Sequence, residues 1–225
     1  NYNGAYTVIP FDVRRRPVKP ALYASSTPVS VTPTLGAELA TGNLSVGTWY
    51  SITATQANYF YAGCAIGNVF RATAATALDA NNKVKEITFS TCFGAKLLDA
   101  PAANSNLRFT VPTLTASTQA GVAVKYADSN NCVIAYHDGT NASVIEYVAG
   151  AYNLLAGPTA ATYGASTEFQ LVWVSSNQLR VYFGTTVIGA TLTINAALVN
   201  NTEVRAFSTY ASNEVTLAEV NGPLP

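Results

Sequence analysis

Residues 168–193 read EFQLVWVSSNQLRVYFGTTVIGATLT, and this stretch decides the fold class. It contains three runs rich in β-branched and aromatic residues, at 168–174, 178–183 and 186–193. Ser175-Ser-Asn177 separates the first two runs, and Gly184 lies between the second and the third. Runs of this kind, interrupted by polar or glycine turns, are typical of antiparallel strands. The stretch therefore predicts three strands joined by two tight turns.

The same pattern continues towards the N-terminus and the C-terminus. We expect further strands at 107–111, 121–126, 132–137, 143–148, 152–155 and 204–208. The turn signals Asp128-Ser-Asn-Asn131 and Asp138-Gly-Thr-Asn141 lie between them. No segment combines a helical period with helix caps, so helix content should be very low. Short strands at regular spacing predict an all-β sandwich or barrel, which we place at residues 91–225.

Residues 1–35 differ in composition from the rest and predict an extended N-terminal arm. Four prolines between 17 and 33 exclude a helix and favour a stiff, extended strap. Residues 1–13 can form one strand, which could pair with the sheet edge of a neighbouring subunit. The arginine triplet is a solvated linker, a contact with an acidic partner surface or a neighbouring subunit, or a nucleic-acid contact. The candidate assembly residues are Tyr6, Val8, Phe11, Arg14, Arg15 and Arg16.

Residues 36–90 predict a small β module. Strands are expected at 49–55, 69–73 and 84–89, with a loop at 58–63 and a turn at 80–83. Its apolar content suggests a compact mini-barrel. The expected order along the chain is thus an extended arm, a small module and a sandwich.

The composition limits the classes of function. Hydrophobic residues make up 49% of the chain and charged residues 11%, and the formal net charge is zero. A chain without excess positive charge is a poor nucleic-acid binder. No run of 18 apolar residues occurs, so no transmembrane helix is expected. A surface covered by neutral polar residues suits an extracellular or virion protein. The sequence shows no Met and no signal peptide, so we expect a processed start or a piece of a longer product.

The three cysteines, Cys64, Cys92 and Cys132, are odd in number and lack a C-x-x-C spacing. With His137 as the single histidine, they make a poor zinc site. We expect three buried free thiols, and a Cys64–Cys92 disulfide is the alternative.

Three stretches resemble concanavalin-A-like and laminin-G-like jelly rolls. They are YADSNNCVIAYHDGTN at 126–141, FQLVWVSSNQLRVYFGTTVIG at 169–189 and AFSTYASNEVT at 206–216. The last is similar to the strand that closes such a domain. Residues 46–55, 66–70 and 79–85 resemble a small β module of tailed-phage and metagenomic virion proteins. Together these resemblances imply a lectin-like jelly-roll sandwich in a virion or appendage protein.

Many jelly rolls of this class are glycoside hydrolases, but the sequence does not predict catalysis. The family's Glu-x-Asp-x-x-Glu strand motif is missing, and so is Gly-x-Ser-x-Gly. His137 and Cys132 have odd spacing and should lie on opposite faces of one strand. At a hairpin end beside Asp138, His137 is expected to be a surface or turn residue. We therefore predict a non-enzymatic protein without a cofactor. Calcium is an alternative that the resemblance raises, through Asp128 and Asp138, although aspartates in turns often have a purely local role.

Two functions remain. The first is a structural or adhesive subunit of a virion or extracellular filament, assembled as a homo-oligomer, or with other virion or filament proteins, through the N-terminal arm. The alternative is a lectin-like module that binds cell-surface glycan on an exposed aromatic platform. Candidate residues for such a platform are Tyr136, Asn141, Tyr147 and Tyr152, with Tyr163 and Asn153 as further possibilities. Both readings place the protein on a virion or extracellular surface.

Overall fold

The computed structural model describes residues 27–61, 64–99 and 105–221, with side chains described as far as residue 218. In these ranges the chain forms sixteen strands, numbered in chain order, and two short 3-10 helices, Phe89–Cys92 and Ala196–Leu198. The strands make three antiparallel sheets. The all-β prediction is confirmed, as is the very low helix content.

Two six-stranded sheets form the jelly-roll sandwich. The first has the order β1 (Val29–Ser30), β16 (Glu214–Asn221), β7 (Ser105–Thr113), β12 (Glu168–Ser175), β13 (Gln178–Phe183) and β14 (Thr186–Thr193). The second has the order β11 (Ala151–Ala160), β10 (Asn141–Val148), β9 (Asn131–His137), β8 (Ala120–Asp128), β15 (Glu203–Ser208) and β6 (Phe93–Asp99).

The sandwich core lies between these two sheets. The first sheet contributes Trp173 and Leu171 of β12 and Phe109 of β7 to this core, and the second sheet contributes Val122 and Val133. All five side chains are fully buried. These residues occupy alternate positions on their strands, as the period of a β-strand requires. The predicted strands at 168–193 are confirmed as β12, β13 and β14.

Two local predictions need correction. The stretch 206–216 is not one closing strand, because it contains the end of β15, a turn and the start of β16, which belong to different sheets. Strand β6 was not predicted at all. It lies at a sheet edge with Ala95 and Lys96 exposed, so it lacks the apolar alternation that marks a half-buried strand.

The third sheet has the order β2 (Thr34–Leu39), β5 (Lys83–Thr88), β3 (Trp49–Ala54) and β4 (Val69–Arg71). Within the described residues it is an open sheet and not the predicted mini-barrel, because its edge strands β2 and β4 do not pair with each other. The predicted boundary at 35/36 falls inside β2, and the preceding β1 pairs with the sandwich strand β16. The division into domains otherwise stays a prediction.

The small sheet packs on the outer face of the second sandwich sheet. Val69 and Ile87 of the small sheet, with Phe89 of the 3-10 helix that follows it, share a buried cluster with Ile134 and Tyr147 of the sandwich. As a result β8, β9 and β10 are buried on both faces, and their side chains are almost continuously inaccessible. A strand covered on both sides reads as an unbroken apolar run, as GVAV at 121–124 does.

The three cysteines are buried free thiols, as predicted, and the alternative Cys64–Cys92 disulfide is not formed. The six candidate assembly residues of the arm, from Tyr6 to Arg16, lie outside the described residues. Among the residues that are described, no helix has the length and apolar character needed to cross a membrane.

Candidate functional site

Two of the predicted glycan-binding residues lie beneath the small sheet. Tyr136 is 7% exposed and Tyr147 is 2% exposed. Burial raises the pKa of both phenols above the usual value for tyrosine. The expectation of an exposed platform at these two positions is therefore wrong, because the small sheet covers the face on which they lie.

The structure also separates the other two candidates. Tyr152 pairs with Tyr147 next to the turn of the β10–β11 hairpin, whereas Asn141 pairs with Ala160 at the opposite end. Tyr147 and Asn141 are six positions apart on β10, which corresponds to about 20 Å along an extended strand. Asn141 also belongs to the Asp138 turn, where its backbone N–H donates to the Asp138 carboxylate at 2.7 Å. The two residues cannot contact one sugar unit together.

Tyr152 is 53% exposed and lies at the edge of a groove of about 750 Å³. The groove runs between the small sheet and the turn Ala149-Gly150 of the sandwich. Three further aromatic residues line it from the small-sheet side, namely Phe60, Tyr61 and Phe70. The apolar part of the described lining also includes Leu44, Val46 and Val69 and several alanines.

The aromatic side chains of the groove contact one another and are only partly exposed. The ring centroid of Phe70 is 5.3 Å from that of Phe60 and 5.5 Å from that of Tyr61. The Tyr61 hydroxyl donates to Oδ1 of Asn68 at 3.1 Å. Burial, together with the nearby Tyr136 and Tyr152 phenols, raises the pKa of Tyr61. Across the groove, Tyr152 is braced by an edge contact with Tyr147 at 5.9 Å.

Arg71 is the charged member of the groove lining. It ends β4, and its Nε donates to the carbonyl oxygen of Gly47 at 2.9 Å. Its Nη1 lies so close to Gly150 that a Cβ added there would be 2.6 Å from it. The backbone of Gly150 has a φ of +78°, a conformation that favours glycine. The backbone shape thus favours glycine at this position, and a larger residue would also have to displace the Arg71 guanidinium.

Cys132 and His137, the candidate nucleophile and base, are kept apart by the fold. Cys132 belongs to the cluster under the small sheet, whereas the His137 ring contacts Phe183 at 4.7 Å, which confirms that the two residues lie on opposite faces. We expected a surface or turn position for His137, and this is wrong, because its ring is fully buried at the end of β9. Its Nε2 is 3.0 Å from the Ala161 carbonyl, and its Nδ1 accepts from the Gly139 N–H.

The turn aspartates serve their own turns. Asp128 accepts from the Asn130 backbone N–H at 2.7 Å, and Asp138 accepts from the Thr140 N–H at 2.9 Å. The described part of the chain contains no group of three His, Cys, Asp or Glu residues that could hold a metal ion. Calcium binding stays a prediction without a described ligand set.

Sequence reasoning missed the residues on the small-sheet side of the groove. We interpreted residues 58–63 as a loop and residues 69–73 as a strand, without giving either a role. One signal was available: three consecutive aromatic residues, Tyr59-Phe-Tyr61, in a predicted loop. Aromatic side chains in a loop cannot all be buried by their own segment, so they indicate a contact or a binding surface.

No protein-family model matches this sequence, and no curated protein matches it. Solved structures that are similar in part include a mutant of the GH43 protein BlXynB from Bacillus licheniformis, with 15% identity and a TM-score of 0.40. The match covers 52% of this chain but only 26% of that one. The carbohydrate binding module CBM66 from Bacillus subtilis has 9% identity and a TM-score of 0.38, over 52% of this chain and 71% of the module. The galectin LEC-6 from Caenorhabditis elegans has 9% identity and a TM-score of 0.41, over 57% of this chain and 91% of the galectin.

These likenesses are too low to assign a family or a function to the chain. The resemblance of residues 46–85 to a virion module finds no counterpart among the matches and stays a prediction.

Proposed function

We propose that this chain is a non-enzymatic carbohydrate-binding protein, and that its ligand binds in the groove between the small sheet and Tyr152. The observation that carries the proposal is the grouping of four partly exposed aromatic side chains in one concave surface. They come from two separate parts of the fold, the small sheet with its loop and the β10–β11 hairpin. Phe60, Tyr61 and Phe70 pack against the buried core of the small sheet, and each keeps part of its surface exposed in the groove.

The chemistry of the groove suits a sugar ring. A pyranose has an apolar face of C–H groups that can lie on the electron-rich face of an aromatic ring. Its hydroxyl groups need a few hydrogen-bonding partners, which the Tyr61 and Tyr152 hydroxyls and Arg71 can supply. Ligand sites are commonly about 300–1,000 Å³ in volume, mostly apolar, with a few placed polar groups. The groove has this size and this composition.

The bracing of Tyr152 favours binding. Its ring contacts Tyr147, which is itself fully packed between the small sheet and the sandwich. A side chain that is held in place before binding loses little conformational entropy when the ligand arrives. Tyr152 is therefore the expected anchor of the site, and it is the one predicted glycan-binding residue that lies in the groove.

The absence of acidic residues from the described lining supports binding without hydrolysis. Glycoside hydrolysis ordinarily needs two carboxyl groups on either side of the scissile bond. With no carboxyl group beside it, a sugar in this groove would be held and released unchanged.

The test is a glycan array followed by calorimetric titration of the strongest binder. Tyr152→Ala should weaken binding roughly 10-fold or more, equivalent to about 1.4 kcal/mol, because the stacking surface is lost. Tyr210→Ala is the matched control, since Tyr210 is 40% exposed but does not line the groove. The proposal fails if no arrayed glycan binds, or if Tyr152→Ala and Tyr210→Ala bind alike.

One observation favours assembly as a second function. Strand β2 has every side chain exposed, including Leu35 and Leu39, and among the described residues it pairs on one side only, with β5. An exposed, partly apolar edge strand can accept a strand from another molecule. The residues proposed to supply it are those of the N-terminal arm, in a homo-oligomer or with other virion or filament proteins on a virion or extracellular surface.

Light scattering tests this second function. The full chain should form a large species that becomes a monomer when residues 1–16 are removed. A monomer in both cases, or the same oligomer in both, contradicts arm-mediated assembly.

A further inference from the structure

We infer that the groove selects saccharides that carry a carboxylate, and that Arg71 is the residue that selects them. This inference rests on the proposed saccharide-binding function and specifies its ligand class. It comes from the position, the orientation and the missing counter-charge of one guanidinium group.

Arg71 is exposed, and one hydrogen bond and one close approach orient its guanidinium. Its Nε donates to the Gly47 carbonyl at 2.9 Å, so the edge of the guanidinium that carries Nε is already occupied. Its Nη1 lies over the backbone of Gly150, whose own N–H donates to the Asn130 carbonyl at 2.9 Å. The turn that carries Gly150 leads directly into Tyr152. The guanidinium thus lies between the Gly47 wall and the Gly150 wall of the groove that the four aromatic residues also line.

No carboxylate neutralises Arg71 in the described part of the chain. The ion pairs there join Lys83 to Glu38, Lys96 to Asp99, Arg108 to Glu168 and Arg205 to Glu203. The described lining of the groove contains Arg71 and no Asp or Glu. The groove therefore carries a local positive charge on a molecule whose formal net charge is zero.

The guanidinium geometry determines which anion fits. Arginine presents its N–H groups as a planar fork that can bind the two oxygens of a carboxylate at once. With Nε bound to Gly47, the four N–H groups on Nη1 and Nη2 remain to form such a pair. An acidic sugar could place its ring on the aromatic side chains and its carboxylate on Arg71. A nucleic acid would need a row of cations, and the described lining of the groove contains one.

The experiment compares saccharides whose carboxylates are either free or blocked as methyl esters. One pair of probes is tetragalacturonate and its fully methyl-esterified form, and the other is 3′-sialyllactose and its methyl ester. The first pair tests a uronic acid and the second a sialic acid, which are the two common sources of a sugar carboxylate. Affinities are measured by calorimetry on the full chain at low and at high salt.

In the unchanged protein, the acidic member of at least one pair should bind roughly 10-fold tighter than its neutral partner, because a charge-assisted hydrogen-bonded pair is stronger than a neutral one. High salt should reduce this preference. Arg71→Gln should bring the ratio of the two affinities, acidic probe to neutral partner, close to one. Arg71→Lys should keep part of it, since lysine retains the charge and loses the planar fork.

Arg180→Gln is the matched control, because Arg180 is exposed on β13 and does not line the groove. It should leave the ratio unchanged. Thermal unfolding checks that each variant keeps the fold. If Arg71→Gln does not fold, the acidic-to-neutral affinity ratio of Arg71→Lys tests the inference instead.

The outcomes separate this inference from the proposed function. If each acidic probe binds no better than its neutral partner while Tyr152→Ala weakens saccharide binding, the selectivity is wrong and the proposed function stands. A preference for acid that survives Arg71→Gln overturns the assignment to Arg71. If no probe and no arrayed glycan binds, the proposed function and this inference both fail.

Discussion

The indole of Trp49 meets the ring of Tyr147 edge-on, with ring centroids 5.0 Å apart. Trp49 begins strand β3 of the small sheet, and Tyr147 lies on β10 of the sandwich. Phe89 stacks on Trp49 at 3.9 Å and contacts Tyr147 at 5.2 Å. These three rings join the small sheet to the sandwich and support the side of the groove that carries Tyr152.

Replacing Trp49 should loosen this junction. Trp49→Ala removes a half-buried aromatic side chain, and we expect the free energy of unfolding to fall by about 2–3 kcal/mol, at or below the lower end of the range for buried aromatics. Trp49→Phe keeps an aromatic ring against Phe89, so the free energy of unfolding should fall by less. Chemical denaturation followed by circular dichroism measures both. An unchanged midpoint for Trp49→Ala would contradict the role given to these rings.

A glycine contact should also hold the two units together. A Cβ on Gly67 of the small module would lie 1.5 Å from the backbone oxygen of Ser117 in the sandwich. Gly67→Ala must therefore move one unit away from the other. Gly42→Ala is the matched control, since Gly42 has almost the same φ, +84° against +85°, but nothing lies within 4 Å of its added Cβ.

Both substitutions carry the backbone cost of a left-handed residue, about 1–2 kcal/mol, so their difference isolates the contact with Ser117. We expect Gly67→Ala to be clearly less stable than Gly42→Ala in thermal unfolding. Equal melting temperatures would show that the Gly67–Ser117 approach is not required.

The three thiols should differ in reactivity. Burial raises the pKa of the Cys92 and Cys132 thiols far above the usual value, so the reactive thiolate is almost never present there. At Cys64, burial also acts to raise the pKa, but hydrogen bonds from Thr55 and from the backbone outweigh it, and the pKa lies below its usual value.

A thiol reagent at pH 8 should therefore label one cysteine in the native protein and all three after unfolding. Peptide mass analysis should assign the first label to Cys64, and Cys64→Ser should abolish native labelling. Labelling of Cys92 before Cys64 would contradict the burial seen here.

His137 should make stability depend on pH. Burial lowers its pKa, although the Ala161 carbonyl and the Asp138 charge act in the opposite direction. The neutral ring places its proton on Nε2 towards Ala161, and its Nδ1 accepts from the Gly139 N–H at 2.8 Å, which a protonated ring cannot do.

Because the folded-state pKa lies below that of the unfolded chain, the unfolded state binds the proton first. The contribution of the neutral His137 ring to the free energy of unfolding is complete above the unfolded-state pKa of about 6.5. It is lost as the pH falls below that value, and the free energy of unfolding then falls by at most about 1.4 kcal/mol per pH unit. Urea unfolding between pH 8 and pH 5.5 measures this loss. His137→Gln should flatten the profile over this interval, and an unchanged slope would assign the effect to other groups.

The sequence predicted the fold of the sandwich because its signals are local. The hairpins at 168–193 follow from β-branched and aromatic runs and from the turn residues between them, and each of these acts over a few positions. The opposite faces of Cys132 and His137 follow from the period of a single strand. None of these inferences required knowledge of what lies above or below the sheet.

The tertiary structure decided which surfaces are open. Tyr147 has the sequence context of a possible surface residue, but the small sheet covers it through Trp49, which is distant in the chain. The groove likewise brings Arg71 against Gly150, and no short-range pattern links these two positions. Alternation along a strand distinguishes its two faces, but which face a second layer buries depends on contacts between distant segments. For that reason the sequence alone predicted the all-β fold and most strands of the sandwich, although not β6, and the packing of the small sheet on the sandwich determined the candidate site.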